Sequence, residues 1–160
     1  MINKKIEICI KTQTMVCYED GLIKKKYLIS SAKNGVGERK GSEQTPRGLH
    51  MIRAKIGAGY SMNTVFVGRR PTGEIYHPDL KKKFPERDWI LTRILWLSGL
   101  EKEKNRLGLV DTMRRYIYIH GTPDEVVMGV PGSKGCIRMR NHDLLELFDV
   151  TPVGTQVWID

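Results

Sequence analysis

The stretch from Arg115 to Arg138 constrains this chain most. Tyr116, Ile117, Tyr118 and Ile119 carry the two-residue alternation of a strand, and His120 stands at its end, where Gly121 and Pro123 break the ladder. A short connection leads to Pro131-Gly-Ser-Lys-Gly135, which presents Cys136 ahead of Ile137, with Arg138 two residues on. A histidine at a strand end and a cysteine on a glycine-flanked turn are the parts of a thiol nucleophile and its base. A connection this short eases a return in space.

The rest of the chain reads as many short strands. Lys5 to Ile10 alternates with one buried face; Met15 to Tyr18 and Leu22 to Ser30 form a hairpin through Glu19-Asp20-Gly21. Lys24, Lys25 and Lys26 read as a solvated strand edge. A Gly-, Ser- and Lys-rich loop follows from Ser31 to Thr45, then strands at Leu49 to Ala54 and Thr64 to Val67, with turn-rich chain from Gly68 to Pro78. Trp89 to Leu97 is apolar at three- and four-residue spacing, with Asp88 as cap and Gly99 as stop, and predicts a helix. Glu101 to Gly108 reads as a charged, mobile connection. Asn141 caps a short helix from Asp143 to Phe148, and Gly154 to Ile159 supplies a closing strand. The expected fold is mainly β with one or two short helices, in one domain over residues 1–160.

A length of 160 residues suits such a domain. The net charge of +9 favours an acidic partner. No basic helix or aromatic RNA-reading motif accompanies it, so nucleic acid is not the expected partner. Three cysteines make no disulfide framework, and Cys9 and Cys17 read as small core residues. No apolar stretch of seven or more follows Lys4 and Lys5, and Ile90 to Leu100 is too short to span a bilayer. The expectation is a monomer without membrane insertion, cytoplasmic as the chain stands and periplasmic if a leader was removed.

The segments His120-Gly-Thr-Pro123 and Ser133-Lys-Gly-Cys-Ile-Arg138 resemble the catalytic signature of the L,D-transpeptidase (YkuD-type) family. Thr45-Pro-Arg-Gly48 and Gly154-Thr-Gln-Val157 fall in that family's order, so the resemblance spans nearly the whole chain. It implies a YkuD-like β-sandwich or barrel-like domain. Two departures stand out: Lys134 occupies the place of a second histidine, and Trp89 to Leu100 is longer and more apolar than the family's middle segment.

Within this reading Cys136 is the nucleophile and His120 its base. The resemblance gives the carbonyl of Gly121 the task of orienting the imidazole. The amides of Gly135 and Cys136 form a candidate oxyanion hole, and Ser133 braces the loop. Arg138 is either a structural ion-pair partner or a ligand for a substrate carboxylate. Lys134 is either a charge that holds Cys136 as thiolate or a solvated replacement for the histidine. His50 and His77 read as surface or structural, and His142 as a poor base at a helix start. Met128, Met139 and Trp158 read as core. A zinc site from Cys136, His120 and His142 lacks a supporting short-spacing motif, and neither metal nor organic cofactor is required.

The resemblance implies a peptidoglycan stem tetrapeptide or muropeptide as substrate, cleaved before its terminal D-alanine through an acyl-enzyme. Water then gives L,D-carboxypeptidase activity, the favoured outcome, and a second stem's amine gives an L,D-transpeptidase cross-link. A sortase-like transpeptidase and a non-enzymatic basic binding protein are the more remote alternatives.

Overall fold

The computed structural model describes residues 2–160. Ten strands and two helices follow in the order β1 (Lys4–Cys9), β2 (Thr14–Glu19), β3 (Leu22–Leu28), β4 (Gly48–Ile56), β5 (Thr64–Val67), β6 (Arg70–Ile75), α1 (Pro78–Lys83), β7 (Ile90–Gly99), β8 (Tyr118–Gly121), β9 (Ile137–Met139), α2 (Asn141–Val150) and β10 (Gln156–Ile159). All ten strands belong to one mixed sheet, β3-β2-β1-β10-β4-β7-β5-β6, from which β8 and β9 branch at β7. The fold is mainly β, as expected.

One face of the sheet packs against α2. Leu144, Leu147 and Phe148 lie at three- and four-residue spacing on one side of that helix and are buried. They meet Ile6 and Ile8 of β1, Ile52 of β4, Leu95 and Leu97 of β7, Ile119 of β8, Ile137 and Met139 of β9, and Val157 and Ile159 of β10. Alternation decides which residues enter this core. In β10 it sends Val157 and Ile159 inward, so Trp158 is 41% exposed rather than the core residue expected. Cys17 packs against the core, whereas Cys9 is only half-buried at the end of β1 and falls outside it. Met139 is fully buried, and Lys24 to Lys26 line the exposed edge strand β3.

The largest correction is β7. The segment expected as a helix is the most heavily paired strand of the sheet, bonded to β4, β5 and β8. Leu91 to Leu95 are buried consecutively, because both faces of this strand are covered. A doubly covered strand reads as a continuous apolar run, and its period cannot be told from that of a buried helix. Asp88 caps nothing there. Gly99 is the last residue of this strand rather than the stop of a helix, and an added Cβ there would stand 2.0 Å from the Asn105 carbonyl oxygen.

Smaller corrections follow from local bonding. The turn-rich chain after Gly68 contains β6, and the lysine run 81–83 closes α1. The helix α2 starts at Asn141 with Arg140 as its cap residue, because the Asn141 side chain is drawn inward instead. The connection after Glu101 is pinned, not mobile: Asn105 is buried, donates to the carbonyls of Arg47 and Leu49, and accepts from the Glu101 amide. No helix among the described residues is long and apolar enough to cross a membrane.

His50 is fully buried in β4. Its Nδ1 bonds the Gly48 carbonyl at 3.0 Å and its Nε2 bonds Thr112 Oγ1 at 3.0 Å. Burial, only partly opposed by the Gly48 carbonyl, pushes this imidazole from 6.5 down to about 4. An imidazole depressed in the folded state is protonated first in the unfolded chain, so its contribution is complete above pH 6.5 and drains away as pH falls to about 4. The loss is expected to reach roughly 3 kcal/mol. Urea unfolding of wild type and His50→Gln across that window should show a flatter pH dependence in the variant.

Candidate active site

The proposed site rests on the parallel pairing of β8 with β9. The register sets Ile119 against Ile137, His120 against Arg138 and Gly121 against Met139. Because side chains alternate, Tyr118 and His120 share one face with Cys136 and Arg138, while Ile119, Ile137 and Met139 turn into the core. His120 and Cys136 thus line one groove of about 410 Å³ with Gly68, Arg69, Asp88, Ile90, Arg115 to Tyr118, Ser133 and Lys134.

The Cys136 loop is held by backbone on one side and by hydroxyls on the other. Ser30 exchanges both backbone bonds with Arg138, and the Ser31 carbonyl accepts from the amides of Gly132 and Ser133. Ser133 Oγ donates to the Cys136 carbonyl at 2.5 Å and accepts from the Gly135 amide at 3.2 Å. The Ser133 hydroxyl thus braces the loop and engages the Gly135 amide, which leaves the Cys136 amide as the freer of the two candidate oxyanion donors. Thr45, which opens the Thr-Pro-Arg-Gly segment, donates to the Gly135 carbonyl at 2.9 Å and accepts from the Ala32 amide at 2.9 Å. Gly135 adopts φ +132, and an added Cβ would crowd Ile117 and the Gln44 carbonyl, so only glycine suits that position.

His120 is almost wholly buried, and its Nδ1 donates to the Gly121 carbonyl at 2.6 Å. With the proton on Nδ1, Nε2 is the basic nitrogen. Gly121 is fixed by packing: a Cβ there would stand 2.1 Å from Asn141 Oδ1. Asn141 donates to the Thr122 carbonyl and to Asn63 Oδ1, and accepts from Thr92 Oγ1 at 2.7 Å. Thr92 holds a left-handed φ of +75, unfavourable for a β-branched residue, at the irregularity that lets β7 pair with β8. One buried cluster therefore ties β7, β8 and α2 beneath the histidine.

The Cys136 sulfur lies 3.3 Å from the Tyr118 amide, which donates to it, and 3.4 Å from the Tyr116 carbonyl. Burial pushes the thiol up to about 12, and the Asp88 carboxylate acts the same way; the Tyr118 amide, Arg138 and Arg115 oppose them. Burial also holds the His120 imidazole below its ordinary range, with Arg138 in the same direction and Asp88 and the Gly121 carbonyl against it. Both shifts favour the neutral form, the thiol of Cys136 and the uncharged imidazole of His120.

Arg138 pairs with Asp88 at 3.6 Å and is mostly enclosed, which favours the structural role over the substrate-ligand role. Arg115 is spent on Gly37 O, Ser42 Oγ and Gln44 O. Lys134 is exposed, and the charges that bear on the sulfur are those of Asp88, Arg138 and Arg115. His142 is exposed on the first turn of α2 and His77 caps α1, both outside the groove lining. Sequence reasoning missed Asp88, Arg69, Thr45 and Asn141. Only Thr45 carried a signal, its place in the Thr-Pro-Arg-Gly segment.

Iodoacetamide alkylation of Cys136 should therefore be slow at neutral pH, with a midpoint above the ordinary thiol value of 9.0. Asp88→Asn removes a carboxylate that opposes the thiolate and frees the Arg138 charge, so the midpoint should fall; Lys134→Met should leave it in place. Rate against pH, followed by mass spectrometry, checks all three.

Comparison with known proteins agrees with this geometry. The YkuD family, the L,D-transpeptidase catalytic domain, matches residues 3–159. A putative L,D-transpeptidase YkuD of Bacillus subtilis is 45% identical over 47 residues, 29% of this chain and 29% of that protein. A probable L,D-transpeptidase ErfK/SrfK of Salmonella typhimurium is 46% identical over 56 residues, 34% of this chain and 18% of that protein. The aligned parts thus span less than a third of either relative. L,D-transpeptidase 3 of Mycobacterium tuberculosis superposes with a TM-score of 0.62 at 13% identity, covering 99% of this chain and 61% of that one. The L,D-transpeptidase of Xylanimonas cellulosilytica (residues 123–326) gives 0.56 at 20% identity, covering 99% and 60%. These two share the fold, and the match over residues 3–159 shows that the chain belongs to the YkuD family of L,D-transpeptidase catalytic domains.

Proposed function

We propose that Cys136 cleaves the L,D bond of a peptidoglycan stem tetrapeptide through a thioester, and that water resolves the thioester. The observation that carries the acylation is the shared face of β8 and β9, which gives His120 and Cys136 one groove. His120 Nε2 takes the thiol proton as sulfur attacks the carbonyl carbon of the third stem residue. The C–N bond then breaks, and the same proton passes to the departing amine of D-alanine. A neutral thiol and a neutral imidazole suit this order, since the proton moves with the attack rather than before it. The Cys136 amide is the donor proposed for the developing oxyanion. Water then attacks the thioester, gives a proton to His120, and leaves a tripeptide carboxylate and the thiol.

The charge of the groove suits an anionic stem as the donor. Arg69, Arg115 and Lys134 face it with one acid, Asp88, already paired to Arg138. An adjoining recess of about 230 Å³, which shares Arg115 and Lys134, adds Lys40 and Arg114 against Glu43. An anionic stem is drawn into such a field, whereas water needs no such attraction. Transfer to a second stem's amine is the competing reading.

Purified protein incubated with a disaccharide tetrapeptide should release D-alanine and tripeptide. Cys136→Ala should lower the rate by about 10³-fold or more and His120→Gln by about 10²- to 10⁴-fold. Mass analysis of the products decides the acceptor: cross-linked dimers as the main species at modest substrate concentration would overturn the hydrolytic reading.

A further inference from the structure

We propose that Arg69 is the specificity residue of this groove: it binds the α-carboxylate of the residue that leaves when the Cys136 thioester forms. The proposal rests on the reading of the groove as an L,D-peptide acylation site. Arg69 sits at the tip of the β5–β6 hairpin, in a two-residue turn with Gly68 in which both residues take positive φ, +55 and +65. Arginine has no conformational preference for that position, so the turn chemistry alone does not account for it. The side chain reaches across to the opposite wall. Its guanidinium carbon lies 4.8 Å from the ring centre of Trp96 and 4.8 Å from that of Tyr116, and Nη1 donates to the Tyr118 hydroxyl at 3.1 Å. Trp96 is itself fixed by a bond from Nε1 to the Met113 carbonyl.

This arrangement holds a planar cation in place while using one of its five N–H donors. Two aromatic faces keep the charge attractive to a ligand without neutralising it, and the remaining edge matches a carboxylate bidentately. The other cations in or beside the groove are unsuited to that task. Arg138 is paired with Asp88, Arg115 is committed to three oxygens, and Lys134 is exposed.

Tyr118 sets the distance. Its amide touches the nucleophilic sulfur and its hydroxyl touches Arg69, so guanidinium and thiol stand one tyrosine apart. A scissile carbonyl and the carboxylate of the residue after it are separated by one residue, about 3.8 Å between successive Cα atoms. A carboxylate one residue beyond a carbonyl held at the sulfur therefore lies on the side of Tyr118 that can face Arg69. In this proposal the groove favours a peptide that ends one residue past the cleaved bond, because Arg69 and Cys136 line it together.

The same chemistry could come from a side-chain carboxylate on the residue before the bond, and the test separates the two sources. Steady-state kinetics would compare a stem tetrapeptide with its C-terminal carboxamide, each made with diaminopimelate or lysine at the third position. Wild type should prefer the free acid in kcat/KM by about ten- to a hundredfold, the range of a hydrogen bond to a charged group. Arg69→Met should bring that preference close to unity, and Arg69→Lys, which keeps the charge but not the fork, should lie between. Equal acid-to-amide ratios in wild type and Arg69→Met would overturn the proposal. Loss of discrimination at the third position in place of the carboxamide effect would overturn the leaving-group assignment. Wild type turning over neither peptide would overturn the functional reading, and this one with it. Labelling of Cys136 by iodoacetamide together with thermal melting shows whether the groove persists in Arg69→Met; if it does not, Arg69→Lys against wild type decides the ratio.

Discussion

The parallel pairing of β8 with β9 is the constraint on which the site depends. Parallel strands cannot be joined by a tight turn, so the chain must leave the sheet after Gly121 and return before Ile137. That excursion is pinned by the chain from Ile29 to Lys33, which bonds Gly129, Gly132, Ser133 and Arg138. The pairing then fixes by alternation which residues face the groove. A slip of one residue would turn Cys136 and Arg138 into the core and set Ile137 in the groove. The Asn141, Thr92 and Asn63 cluster makes such a slip costly, because it ties Thr122 and the close-packed Gly121 in place.

Around this frame the charges balance in an unusual way. Asp88 and Arg138 bear on both members of the Cys136–His120 pair, with opposite signs, while burial keeps each member neutral. In the proposed reaction this makes proton transfer from Cys136 to His120 accompany attack on the substrate carbonyl. Arg69 lies outside this balance: it does not figure among the charges acting on the thiol, and its rings leave its charge available to a ligand.

The expected carboxylate-binding role of Arg138 and thiolate-holding role of Lys134 both came from nearness in sequence to Cys136. Space ranks the charges differently. Arg138 points to Asp88, fifty residues earlier in the chain, and Lys134 to solvent. The groove's held cation comes from a hairpin 67 positions before the cysteine, a separation across which no spacing argument reaches. The hairpin tip at Gly68-Arg69 reads in the sequence as one more turn.

What the sequence determined by itself was local. Two-residue alternation set the inward faces of β1 and β10, whereas β8 is buried throughout; the pair His120-Gly121 with Ser133-Lys-Gly-Cys136 carried the family, because a histidine, a cysteine and a glycine demanding positive φ sit at fixed short spacing. Tertiary structure decided whatever depends on who covers a surface. Leu91 to Leu95 became a strand because β4, β5 and β8 pair its edges and α2 packs on it, a fact its own apolar run could not express. Asp88 became a groove carboxylate instead of a helix cap for the same reason. The protonation of Cys136 and His120 was likewise settled only by burial and by charges brought in from distant strands, since local residue types fix which groups can ionise and the surrounding dielectric fixes whether they do.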